Sequence, residues 1–402
     1  MKKSNRLEAE SCISLLPNSS KALRFEEIPS AREGTRYLRI LAGSKKYFVK
    51  QFLRTGCKNG TSKLSRRALS SDPAKFEYNI LKTYSENGAS VSVPISCSSE
   101  LDTIVMEDIG DDTLEKRLLG ASESKTSDLL SKAIAEMVNL HKVARQYQNL
   151  LLSEDSPSIL KTSMLANRAL NYYGILIASK KSLLQKEKPK IGRKFEFLDL
   201  FDLVTRNVCS DTQLVHGDMS SYHIFFTQEE NGEKVRFIDF GNPKFASVFI
   251  DVGDLLFSPG IYLPLERRLE ILNEYVAKNK NLGSKDLLHK ATKEILLSEQ
   301  RRLCFVGIFE CLRRAARDKE AKIKYPVQSR YFARKHPAYE NPIPGYAKTS
   351  MQLANFLMAN SGRYGLNDFE SRKLERLSHV LEEAYEKNHK SQLELNLIGA
   401  KV

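Results

Sequence analysis

Apolar positions in the first quarter of the chain alternate or cluster in short runs, which predicts strands. These runs are 22–26 (Ala-Leu-Arg-Phe-Glu), 34–41 (Gly-Thr-Arg-Tyr-Leu-Arg-Ile-Leu) and 46–52, the last two separated by the turn Ala42-Gly43-Ser44. Three successive strands imply a small antiparallel sheet. A Gly, Ser and Lys/Arg-rich loop over 54–71 follows. From Pro73 to Tyr84, the spacing of Phe76, Ile80, Leu81 and Tyr84 then predicts a helix with Glu77 one turn in. Residues 91–95 and 103–107 predict two more short strands, and a first lobe ends near 108–112.

Beyond that point the period changes to that of helices, over 129–141, 159–184 and 195–208. One strand pair interrupts them. Apolar runs in Leu214 to Phe226 and Val235 to Gly241 flank a turn of Gln, Glu, Asn, Gly and Lys, the pattern of a β-hairpin. The start of the first strand and the end of the second share one edge, which places the loop 218–223 beside Asp239. Helical patterns return at 251–257, 265–276 and 287–317, and past the turn-forming 341–345 at 350–360 and 368–389. Residues 1–22 read as a poorly committed leader. The organisation expected is a leader over 1–22, a nucleotide-binding lobe over 23–110, a helical catalytic and acceptor lobe over 111–335 and a helical extension over 336–402.

Two carboxylates, Asp218 and Asp239, converging at one strand edge suit phosphoryl transfer: one takes the proton of an attacking hydroxyl, the other holds a metal against nucleotide phosphates. At 402 residues and 41% apolar composition, the chain is long enough for a large core. No run approaches the roughly 18 apolar residues of a membrane span, and the first ten residues lack the apolar core of a signal peptide, so a cytoplasmic location is expected. The six cysteines show no paired spacing and read as reduced thiols.

The net charge of +14 is uneven. No acid stands between Glu33 and Asp72, while Arg36, Arg39, Lys45, Lys46, Lys50, Arg54, Lys58, Lys63, Arg66 and Arg67 are all basic. A second basic run extends from Lys180 to Lys194. Such fields favour anionic partners, among them nucleotide, phosphorylated glycan, anionic membrane or nucleic acid; the plain alternative is a solvated basic loop.

The chain resembles the protein-kinase-like phosphotransferases over roughly residues 25–275. His216-Gly217-Asp218 is similar to the catalytic loop of the aminoglycoside phosphotransferases and choline kinases, and Ile238-Asp239-Phe240-Gly241 to their metal-binding loop. Tyr47-Phe48-Val49-Lys50 is similar to the strand carrying the phosphate lysine, with Glu77 as its helix partner. Val105 to Leu114 resembles the hinge, whose backbone from Glu107 to Ile109 would face adenine. The resemblance implies an α+β, bilobal protein-kinase-like fold, with a small antiparallel β-sheet lobe bearing one helix and a larger, mostly helical lobe. It also implies ATP or GTP and Mg²⁺ as cofactors, with Asp218 as base, Asp239 on the metal and Lys50 on the α/β-phosphates. His216 is structural in that family.

Two departures stand out. Five residues after Asp218, where the family has a metal-binding Asn, this chain has His223; imidazole suits borderline metals better than Mg²⁺, so one metal suffices, a water intervenes or catalysis is impaired. Asp218-Met-Ser-Ser-Tyr-His223 resembles instead the loop of the lipopolysaccharide core sugar kinases, in which the equivalent of Asp251 braces the catalytic loop; a helix N-cap is the other reading of Asp251. The nucleotide loop has a single glycine, Gly34, followed by Thr35, and these two either approach the phosphates or form a plain turn.

The leading expectation is a kinase for a hydroxyl of a sugar-like or small polyhydroxylated, anionic acceptor. A protein or RNA kinase and a nucleotide-binding pseudokinase are the alternatives. Nucleic acid and a peripheral anionic membrane are lesser partners, and the oligomeric state is not set by any motif.

Overall fold

The first strands form because β-branched and aromatic residues alternate along them, and the turns between them carry residues that tolerate positive φ. In the computed structural model, which describes residues 12–17, 23–28, 35–52, 72–151, 213–241, 243–246, 248–257, 261, 263–279 and 343–368 with scattered positions from 371 to 379, β1 is Leu23–Ile28, β2 Thr35–Ala42 and β3 Lys45–Phe52. Ala42 pairs with Lys45 across the turn Gly43-Ser44, where Gly43 sits at φ 64°. Helix α1 (Pro73–Glu86) follows. Its first turn is set by Asp72, whose carboxylate accepts the Lys75 N–H at 2.9 Å, and by Pro73, whose missing N–H costs nothing at that position.

Strands β4 (Pro94–Ser98) and β5 (Thr103–Glu107) complete a five-stranded antiparallel sheet of order β1-β2-β3-β5-β4. The inner place goes to β5 because its residues from Thr103 to Met106 are all buried; β4, with its Pro and serines, takes the edge. Register assigns the two faces. Leu38 lies opposite Val49, Ile40 opposite Tyr47, and Val49 opposite Val105, so these five share one face; Tyr37, Lys50 and Ile104 line up on the other.

The apolar face is covered by the N-terminal segment. A 3-10 turn at Cys12–Leu15 lays Leu15 and Leu16 against Leu38, Ile40, Tyr47, Val49 and Val105, and the Ser96 hydroxyl donates to the Leu15 carbonyl at 2.5 Å. Of the leader expected over 1–22, Leu15 and Leu16 pack on the sheet, while residues 1–11 and 18–22 lie outside the described residues.

After α2 (Leu114–Leu118), capped by Thr113, comes α3 (Glu123–Leu151), longer at both ends than the helix expected over 129–141. Ser122 caps it through the Lys125 N–H at 3.2 Å. The expected strand pair is realised in two pieces. The first strand breaks at the loop, so that β6 (Gln213–Val215) pairs with β9 (Lys244–Ala246), while β7 (Ile224–Glu229) and β8 (Gly232–Phe237) form the hairpin across Glu230-Asn231. A 3-10 turn at Ser221–His223 leads into β7.

The chain divides into two compact units, Met1–Thr162 with Thr212–Asp251, and Ser163–Asp211 with Val252–Val402. Helix α4 (Phe249–Leu256) begins in the first. In the second, α5 (Leu265–Lys278) buries Arg268, whose guanidinium donates to the carbonyls of Leu263, Leu256 and Ile261 at 3.0, 3.2 and 2.7 Å. Helix α6 (Ile343–Ala359) starts earlier than the 350 expected, because Pro344 falls in its first turn, where proline is tolerated rather than breaking. Helix α7 (Ser361–Tyr364) ends at Gly365 in the left-handed region. The helices expected over 159–184, 195–208 and 287–317, and most of 368–389, lie outside the described residues. Among the described residues no helix is long and apolar enough to cross a membrane.

Leu16 is 5% exposed within the cluster it shares with the sheet. Leu16→Ala is expected to cost about 2–5 kcal/mol of stability, read as a lower thermal unfolding temperature; an unchanged midpoint would show that the segment does not seal the sheet.

Candidate active site

Lys50 sits on β3 facing away from the apolar cluster, next to Tyr37 and Ile104 in register. Lys50 is 3% exposed, and its ammonium lies 2.9 and 2.7 Å from the two carboxylate oxygens of Glu77, which α1 presents from its buried face. It also contacts the Asp239 carboxylate. Burial by itself would lower the Lys50 pKa, but the charges of Asp239 and Glu77 outweigh it, so the group is held above its ordinary value and stays cationic.

Asp239 follows β8 at φ 65°, a left-handed conformation that Asp tolerates better than most residues. Gly241 stands two residues on, and a Cβ there would meet Glu77 Oε2 at 2.9 Å and Lys50 Nζ at 3.3 Å. Glycine is thus the residue that lets this backbone approach the ion pair. Between them, Phe240 is fully buried and packs on Tyr84 of α1 (centroids 5.1 Å) and on His216 (4.7 Å, edge to face).

The loop before β7 is held by backbone hydrogen bonds to one carboxylate. Asp251, fully buried at the start of α4, accepts the N–H of His216 at 2.8 Å on one oxygen and that of Gly217 at 2.8 Å on the other, and His141 Nε2 donates to it at 2.9 Å. Gly217 at φ 76° makes the turn that exposes both N–H groups to Asp251. His216 accepts the Asp218 N–H at Nδ1 (3.2 Å) and donates from Nε2 to the Ile238 carbonyl (2.8 Å), bridging the two carboxylate-bearing loops. Burial pushes its pKa down, in keeping with a neutral ring. Among the described residues the Asp218 carboxylate itself has no hydrogen-bond or ion-pair partner.

His223 closes the arrangement. Its Nδ1 donates to the Asp218 carbonyl at 2.7 Å, and its Nε2 lies 3.3 Å from Asp239 Oδ2. Burial would lower its pKa, but the Asp239 carboxylate prevails and raises it. The strand-edge geometry expected from the hairpin is thus present: Ile238 N–H bonds the His223 carbonyl at 3.1 Å, which brings the loop 218–223 beside Asp239.

At the end of β5, the Glu107 N–H bonds the Val93 carbonyl (3.0 Å), and its own carbonyl accepts the Ser92 hydroxyl (3.1 Å). Among the described residues, the N–H and C=O of Ile109 take no backbone hydrogen bond. Thr35, the other end of the expected nucleotide site, opens β2 opposite Phe52 and is buried; Gly34 lies outside the described residues.

Several polar residues of this region were not singled out by the sequence. His141 sits on an apolar helix face, and that mismatch was an available signal, whereas Arg236 holds an ordinary alternating polar position of its strand and carried none. Arg39 and Arg117 pair with the acids that follow β5: Arg39 Nη2 reaches Asp111 at 2.8 Å and Asp108 at 3.3 Å, and Arg117 Nη2 reaches Asp112 at 2.6 Å.

No group of three or more His, Cys, Asp and Glu side chains is placed to cage a metal among the described residues. Asp239 with His223 offers one carboxylate and one imidazole. The Asp239 carboxylate suits a hard divalent ion that otherwise takes phosphate oxygens and water, whereas the His223 imidazole, drawn toward its protonated form by Asp239, fits such an ion poorly.

The model of the phosphotransferase enzyme family matches residues 24–281. Among solved structures the chain is similar to an ethanolamine kinase of Plasmodium vivax, at 14% identity and a TM-score of 0.53, with 83% of this chain and 88% of that one covered. It is also similar to a protein of Ralstonia eutropha described as an aminoglycoside phosphotransferase, at 14% identity and a TM-score of 0.51, covering 87% and 98%. At such identities the likeness is one of fold. No curated protein matches significantly in sequence.

The contact at Gly241 is testable. Gly241→Ala crowds the Glu77 carboxylate and the Lys50 ammonium and is expected to weaken nucleotide binding about tenfold, measured by calorimetry, with the helical circular dichroism retained. Wild-type affinity in the variant would show that the close approach is dispensable.

Proposed function

The chain belongs to the phosphotransferase enzyme family, whose members are ATP-dependent small-molecule kinases of protein-kinase-like fold, and from that premise we propose that it phosphorylates a hydroxyl of a sugar-like or polyhydroxylated, anionic acceptor through Asp218, Lys50 and Asp239. The observation that carries this reading is the buried Lys50 ammonium shared by Glu77 and Asp239. A lysine so placed carries its charge into a dry site, where it can neutralise phosphate oxygens.

Glu77 fixes the position of Lys50 by a two-oxygen contact. Asp218, its carboxylate without a hydrogen-bond or ion-pair partner among the described residues, takes the proton of the acceptor hydroxyl as that oxygen bonds to the γ-phosphorus and the bridging bond to the β-phosphate breaks, leaving ADP. Asp239, with His223 beside it, is where Mg²⁺ would be held; when bound, the ion neutralises charge on the β- and γ-phosphates. The backbone from Glu107 to Ile109 is assigned to the base, and the N–H and C=O of Ile109, which take no backbone hydrogen bond among the described residues, support this. Thr35, at the start of β2, and the adjacent Gly34 are assigned to the phosphates. The net charge of +14 and the lysines from 180 to 194 support an acceptor that already carries negative charge. The same complement of Lys50, Asp218 and Asp239 speaks against a pseudokinase, since a binding module has no use for a base.

Transfer of labelled phosphate from Mg²⁺-ATP is to be measured across phosphorylated and acidic sugars, aminoglycosides, protein and RNA. Turnover is expected with the acidic sugars, to vanish with chelator, and to fall about 10² to 10⁴-fold in Asp218→Asn with nucleotide binding kept. Equal rates for Asp218→Asn and wild type would remove the assigned base, and preference for cationic acceptors would remove the anionic assignment.

A further inference from the structure

Arg236 lies on β8, three residues before Asp239, and is only 15% exposed. Its guanidinium donates to a carboxylate oxygen of Glu107 at the end of β5, to the Val91 carbonyl at 3.2 Å, and through Nε (3.0 Å) and Nη2 (2.5 Å) to Glu229 at the end of β7. The same Glu107 oxygen accepts the Val93 N–H at 2.9 Å. Between these strands runs the ribbon 90–93, bonded on one side to β8 (Phe237 N–H to the Ser90 carbonyl, 2.9 Å; Ser92 N–H to the Phe237 carbonyl, 3.2 Å) and on the other to Glu107. Arg236 therefore spans from the metal-loop strand across this ribbon to the segment assigned to the base.

We infer that Arg236 is a positioning residue that couples the adenine-facing end of β5 to the strand carrying Asp239, so that both ends of one nucleotide are gripped in register. This rests on the assignment of Glu107 to Ile109 and Asp239 to the nucleotide. The chemistry favours arginine: its planar fork satisfies two carboxylates and a carbonyl at once, which a lysine ammonium on a flexible stem cannot do in the same geometry. Both carboxylates are partly shielded from water, so the strands that carry them are drawn to one point. Arg236 touches no reacting atom; it acts through the backbone at Glu107 and through β8.

The test uses the full chain with Mg²⁺ and a non-hydrolysable ATP analogue. Arg236→Lys and Glu107→Gln are each expected to weaken nucleotide binding about tenfold, and the double variant to be no weaker than the poorer single one, because both remove the same link. The KM for the acceptor and the unfolding temperature should stay near wild type. The inference is overturned if nucleotide affinity is unchanged in both single variants, if their effects multiply in the double, or if acceptor KM and unfolding temperature move together with nucleotide affinity, as a general loss of scaffold would produce. Absence of nucleotide binding by the wild type would overturn it together with the proposed function, whereas normal wild-type binding with unaffected variants removes the role of Arg236 alone.

Discussion

A buried ammonium cannot be left unpaired, and the first unit of this protein is organised around that constraint. Lys50 is 3% exposed between Glu77 and Asp239. Breaking a buried pair by removing one partner costs about 3–5 kcal/mol, because the remaining charge is stranded. The sheet, helix α1 and the loop after β8 are thus tied at one point by charge, and a conformation that separates any of them exposes or orphans an ion. Gly241 follows from the same constraint, since the pair occupies the volume a side chain would need.

A second polar centre does for the loop before β7 what Lys50 does for the sheet. Asp251 receives two consecutive backbone N–H groups and an imidazole N–H, so its buried charge is satisfied by three donors. His216 and His223 then divide the remaining work. The first accepts from Asp218 and donates to Ile238; the second donates to the Asp218 carbonyl and faces Asp239. The backbone of Asp218 is fixed from both sides while its carboxylate stays available, as the base role proposed for it requires.

The elements that could be read from the sequence are those whose signal is local. The strands at 35–42 and 45–52, helix α1 with Glu77 on its buried face, and the adjacency of residues 218–223 to Asp239 all follow from period and turn chemistry. Where the reading fell short, the cause is long-range. The place of β5 between β3 and β4 depends on which strand can be buried on both sides. The docking of Leu15 and Leu16 depends on an apolar sheet face that exists only once the strands have paired. Asp251 could be read as a helix cap or a brace because both put an acid at the start of α4; only the positions of His216, Gly217 and His141 separate them.

Charge is where the linear sequence misleads most. Residues 34–71 contain no acid, so their basic side chains read as one positive field. In the fold, Arg36 pairs with Glu27 at 3.1 Å, Arg39 with Asp108 and Asp111, and Lys50 with Glu77 and Asp239. Their partners lie up to 189 residues away in sequence. The acids after β5 are matched in the same way by Arg39 and Arg117, and Glu107 by Arg236. These pairs cancel locally and contribute little field at a distance. The attraction proposed for an anionic acceptor therefore has to come from cations without such partners among the described residues, such as the exposed Lys45, and from the basic runs beyond the described residues. A count of basic residues measures the first kind and the second together, and only the second can draw a charged substrate toward the molecule.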